Sequence, residues 1–175
     1  MTSNRSQALI GQWLLYLAIA IILIFILLLP LRHTPPAWAG PDLLLALTLA
    51  WAIRCPKSVP MLLVAAVFLI ADFLLQRPPG LLTVLVVIAV EELKTRAINL
   101  QNVNFLGEWV VFSFAITLVI MLYWQIQALI GVEHAPWTLS LTQVTTTIIA
   151  YPLVVIVSRV LFGVRKIPPT KDIFV

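Results

Sequence analysis

The stretch Leu14–Leu29, LLYLAIAIILIFILLL, sits inside a longer segment, Ser6–Leu31, that carries no charge at all. A helix needs roughly 20 apolar residues to cross a bilayer, and a run of this length and purity has no place on a globular surface. Two more segments of the same kind follow, Trp109–Gly131 and Trp137–Ser158. With 62% hydrophobic residues, 10% charged residues and a mean hydropathy of +1.07, the chain falls outside the globular range. No segment alternates as a barrel strand would, and no polar stretch is long enough to enclose a second core. The expectation is an all-α, polytopic membrane protein: one integral domain over residues 1–175, a six-helix transmembrane bundle.

The six helices are expected at about residues 8–30, 38–53, 58–76, 80–94, 107–131 and 137–162. Ala37-Trp38-Ala39 mimics a signal-peptidase site, but the preceding apolar run is too long for a cleaved signal, so an uncleaved first helix is expected. The second is the shortest: Leu43–Ile53 reaches only about 16 Å, so it needs extension back to Trp38 or shielding by its neighbours. Ser58 is expected to cap the third, with Pro60 in its first turn. Pro78-Pro79-Gly80 breaks the chain before the fourth, and Asn99–Asn104 reads as a polar connector.

The net charge of +4 fits membrane orientation better than a nucleic-acid surface. With both termini cytoplasmic, Arg5, Arg54, Lys57, Lys94, Arg96, Arg159, Arg165, Lys166 and Lys171 lie on one side. Only Arg32 and Arg77 of the eleven basic residues lie on the other. Trp13, Trp38, Trp51, Trp109 and Trp137 fall near span ends, as interfacial aromatics do. The single Cys55 excludes an internal disulfide and suits a reducing compartment.

Within the third apolar segment, VAAVFLIADFLLQRPPG, stands one carboxylate, Asp72. A charge in a bilayer costs about 2.5–3.5 kcal/mol on insertion scales and normally faces protein or a watery cavity. One reading gathers Asp72 with Gln125 and Gln127 of helix five and with Thr138, Thr142, Gln143, Thr145 and Thr146 of helix six into a polar patch near the outer surface. The other leaves the threonines bonded within their own helix and Asp72 solvated, or neutralised by Arg77 or His33. Glu91 with Lys94 and Glu92 with Arg96 are spaced as helix-surface ion pairs. Glu108 suits the positive end of helix five, and Pro152 should bend helix six. There is no metal-ligand set, no phosphate-binding glycine loop and no nucleophile elbow, so neither cofactor nor catalytic group is expected. A lipid-headgroup enzyme with Asp72 as general base is the remotest reading.

Pro41-Asp42-Leu43, a short apolar second span, Ile70-Ala71-Asp72-Phe73 with Gly80 eight residues after the aspartate, and Tyr151-Pro152-Leu153 before a basic tail together resemble the MreD family. These are rod shape-determining membrane proteins of bacterial cell-wall elongation. The resemblance covers nearly the whole chain in layout and matches Asp72, Gly80 and Pro152. Leu75-Gln76 stands where members usually carry a small residue, often glycine. The resemblance implies six transmembrane helices in the bacterial cytoplasmic membrane and a fold similar to the substrate-binding subunits of energy-coupling-factor transporters. It further implies no enzymatic activity and a partner, MreC, which leads to MreB, RodA and a class B penicillin-binding protein. Membrane lipid is the other partner expected, and nucleic acid is not. The alternative is a small-solute transport subunit with its pocket around Asp72.

Overall fold

The computed structural model describes residues 2–29, 39–101, 103–131 and 136–162. Among them are six α-helices and no strand: α1 (Thr2–Leu28), α2 (Leu43–Arg54), α3 (Met61–Leu74), α4 (Leu81–Gln101), α5 (Phe105–Ile130) and α6 (Trp137–Phe162). Three are long and apolar enough to cross a membrane: Leu9–Leu28 of α1, Phe105–Ile130 of α5 and Trp137–Val160 of α6. Outward faces are apolar, with Leu62 83% and Leu129 88% exposed, as a surface turned to lipid requires.

The architecture is organised around α2. At 12 residues it is only about 18 Å long, yet eleven of those residues, Leu44 through Arg54, are buried. It packs against α1, α4, α5 and α6. Shielding by neighbours, not extension toward Trp38, is how the short segment is accommodated. Residues 39–42 are not helical, and Trp38 lies outside the described residues. Asp42 sets the start of α2: its Oδ1 accepts the Leu45 amide at 3.0 Å, an N-cap that Pro41 precedes.

Two further boundaries differ from expectation. Ser58 does not cap α3; Pro56–Ser58 forms a 3₁₀ turn and α3 starts after Pro60. The Ser58 hydroxyl instead donates to Gln12 Oε1 of α1 at 2.6 Å. Trp13 Nε1 donates to the Lys57 carbonyl at 2.8 Å, and Tyr16 Oη lies 2.9 Å from Thr48 Oγ1. These contacts dock α1, most of whose described side chains are exposed, onto α2 and the 3₁₀ turn that follows it. Helix α4, for its part, does not stop near residue 94. Leu82, Val86, Val90, Leu93, Ala97 and Leu100 keep a buried stripe at spacings of three and four through the charged segment. The pairs Glu91–Lys94 and Glu92–Arg96 brace its outer side. Where a polar connector was expected, the helix runs on to Gln101. α5 ends on Gly131, whose φ of 73° and amide bond to the Gln127 carbonyl form a left-handed cap.

Candidate functional site

The turn from α3 to α4 is built on Asp72, which is completely buried. Its Oδ2 accepts the Gly80 amide at 3.1 Å, the Thr83 amide at 3.3 Å and the Thr83 hydroxyl at 2.8 Å. The first amides of a helix have no partner inside it and need one from outside. A carboxylate from the preceding helix therefore serves α4 as its cap. Gly80 stands at φ +84°, a backbone conformation open to glycine at little cost, and this aims its N–H at Asp72. Gln76 adopts φ +53° inside the same turn. A left-handed residue is thus required where the resemblance leads one to expect glycine, and glutamine bears the strain. Asp72 Oδ1 is buried and meets no donor among the described residues.

Asp72 bonds to none of the glutamines and threonines expected around it. Thr142 Oγ1 accepts the Ala39 amide at 3.1 Å, and the Thr146 hydroxyl lies 3.2 Å from the Ala39 carbonyl while bonding within α6. Thr145 is exposed and bonds back to the Leu141 carbonyl; Gln125 is exposed as well. The threonine face therefore holds the segment leading into α2, not Asp72. Thr147, one place along from the expected stripe, completes it by accepting the Asp42 amide at 3.0 Å. Arg77 reaches Asp42 Oδ2 at 3.8 Å and not Asp72, and His33 lies outside the described residues. Gln143 lines a cavity of about 110 Å³ with Asp42, Arg77, Tyr123, Gln127 and Ser140. A polar patch at this end exists, but Asp42 and Arg77 are its centre.

A second cluster, at the other end of the bundle, was not expected from the sequence. Glu108, in the first turn of α5, is fully buried and joins three helices. Arg54, the last residue of α2, donates through Nε at 2.6 Å and through Nη2 at 3.1 Å, a two-pronged ion pair. Tyr151 of α6 donates its hydroxyl to Glu108 Oε1 at 2.5 Å, and the Phe112 ring stacks on it with centroids 3.9 Å apart. Next to it, Pro152 cannot supply the N–H that the Ile148 carbonyl would receive in an unbroken helix. The Trp109 indole of α5 supplies it instead, at 3.1 Å. One turn of α6 thus engages adjacent residues of α5: Tyr151 with Glu108, and the Ile148 carbonyl released by Pro152 with Trp109.

The sequence did contain a signal for this cluster: opposite charges close one largely apolar helix (Arg54) and open another (Glu108) at the same expected depth. Reading Glu108 against the helix dipole alone missed it. Beside Arg54, burial pushes the Cys55 thiol above its ordinary range, with the guanidinium acting in the opposite sense. Arg54 and Glu108 also border a recess of about 670 Å³, whose rim carries Arg159. Among the described residues no three histidine, cysteine or acidic side chains gather as a metal site would require.

The chain matches no protein-family model, and no curated protein or solved structure matches it.

Proposed function

We propose that the chain is a non-catalytic scaffold of the bacterial cell-elongation machinery. It would lie in the cytoplasmic membrane, hold MreC by helix packing and so help organise peptidoglycan synthesis. The observation that carries this reading is the bond between Asp72 and Gly80. Two residues that the MreD resemblance pairs only by spacing meet in a single capping contact. Pro152, the other matched position, leaves free the Ile148 carbonyl that Trp109 takes up across the α5–α6 contact. Polar side chains are spent on joining helices, and the outer faces are left apolar, which suits lateral association in lipid. The fold likeness to energy-coupling-factor subunits belongs to this same reading.

The alternative, a solute-binding transport subunit, draws support from the polar lining around Asp42, Arg77 and Gln143. Its cavity of about 110 Å³ is small beside the roughly 300–1,000 Å³ of organic-ligand pockets. The scaffold is therefore the better reading. Mild cross-linking in native membranes followed by affinity purification separates the two. Recovery of MreC is the expected result; recovery of an ATPase pair with its coupling subunit, without MreC, would establish the transport role instead.

A further inference from the structure

Among the described residues, three of the recesses on the surface of the bundle differ in charge. The one between α1 and α3, about 510 Å³, is walled by apolar side chains such as Trp13, Leu14 and Leu62 and has nothing with which to choose a headgroup. The one between α4 and α5, about 230 Å³, has Arg96 at its edge, but Glu92 already neutralises that arginine at 2.5 Å. The third, about 670 Å³, lies where α2, α5 and α6 meet at the Glu108 end. There Glu108 offsets Arg54, whereas Arg159 is exposed and makes no ion pair among the described residues.

We propose that this third recess binds one anionic phospholipid, its phosphate held by Arg159 and Arg54 and an acyl chain lying along α6 toward Pro152. The lining is amphipathic in the required order. Arg159 marks the end of α6, and Ile156, Val155 and Pro152 follow inward over about 10 Å of helix. Phe105 of α5 forms part of the opposite wall. Arg54 is fixed by its bond to Glu108 through Nε and Nη2, which leaves further guanidinium N–H groups for a second acceptor. A phosphate therefore meets an unbalanced positive charge plus a donor already held in place, where ordering costs are small. The inference rests on the recess alone and does not depend on the scaffold reading.

The test uses the full chain purified in mild detergent, without MreC, titrated with phosphatidylglycerol, with phosphatidylcholine of the same acyl chains, and with inorganic phosphate. Bound lipid is read by native mass spectrometry. Phosphatidylglycerol should bind about tenfold tighter than phosphatidylcholine, and Arg159→Gln should lose about fivefold of that affinity, the usual effect of one basic residue at an anionic surface. Ile156→Trp, which obstructs the acyl wall without touching a charge, should lower lipid binding as well and serves if Arg159→Gln does not fold. Arg96→Gln should bind as the unaltered chain does. Equal binding of the two lipids, or undiminished binding by both Arg159→Gln and Ile156→Trp, would overturn the proposal. So would displacement of phosphatidylglycerol by equimolar inorganic phosphate, which would make the recess a site for a soluble anion.

Discussion

Replacing Asp72 with alanine strips three donors of their acceptor at once: the Gly80 amide, the Thr83 amide and the Thr83 hydroxyl. The Thr83 donors are buried and Gly80 partly so, and Asp72 itself is 0% exposed. Loss of an N-cap costs about 1 kcal/mol, and a buried donor left unpaired costs about 1–3 kcal/mol. Relief from burying a carboxylate returns part of this, so the expected net loss is about 2–4 kcal/mol. For a chain of this size that corresponds to roughly 5–15 °C in melting temperature. Cys55, half-buried and the one thiol of the chain, is a built-in reporter. A maleimide dye that fluoresces on reaction follows its exposure during a thermal ramp in detergent. Asp72→Asn keeps one acceptor oxygen for the cap and should recover at least half of the loss. Thr83→Val removes only the 2.8 Å bond and should cost about 1 kcal/mol. Since Thr83 and Asp72 act on each other, the double variant Asp72→Ala/Thr83→Val should be less destabilised than the sum of its parts. Strict additivity, or an Asp72→Ala melting point equal to that of the unaltered chain, would refute the capping role.

Four further outcomes are expected. Gln76→Gly removes the cost of a left-handed side chain at φ +53° and should stabilise the protein by about 0.5–1 kcal/mol in the same assay. Arg54→Met leaves the Glu108 carboxylate buried without its guanidinium and should cost about 3–5 kcal/mol, whereas Arg54→Met/Glu108→Met should regain most of it; a double variant as unstable as the single one would argue against the ion pair. Trp109→Phe orphans the Ile148 carbonyl, at about 1–2 kcal/mol, and should become nearly silent in a Pro152→Ala background, where the backbone N–H of residue 152 returns to claim it. Because burial raises the Cys55 pKa, the folded protein holds less thiolate than a free cysteine at any given pH near neutrality. Its labelling should therefore rise with pH at values above those of a model thiol, and unfolding should move the profile back down.

What could be read from the chain followed from how one-dimensional each signal was. The apolar run of α1 and the boundaries of α6 depend only on composition along one helix, and sequence suffices for them. Asp72 stood out because a lone carboxylate among apolar residues needs a neighbour, but which neighbour depends on the course of the chain after Arg77. The answer was local, eleven residues on at Thr83, rather than distant on α6. The threonine stripe was placed opposite Asp72 because depth alone cannot tell which helices are adjacent; α6 in fact meets the chain entering α2, through Thr142, Thr146 and Thr147. Glu108 escaped notice for the converse reason. Its partners Arg54 and Tyr151 are 54 and 43 residues away, and no periodicity links positions so far apart. α4 runs past its expected end because a charged segment does not stop a helix whose buried stripe, Leu93, Ala97 and Leu100, continues beneath it.

A helix as short and as enclosed as α2 has a consequence for biosynthesis. It cannot rest stably in the bilayer by itself, and three of its walls, α4, α5 and α6, are made after it. Until α6 is synthesised, the Asp42 amide lacks Thr147 and the Trp51 indole lacks Ser158. The nascent chain must therefore keep its eventual centre sheltered, by the translocation apparatus or by a membrane chaperone, until the last segment closes over it. Truncation before α6 should leave an intermediate prone to degradation rather than a smaller working bundle.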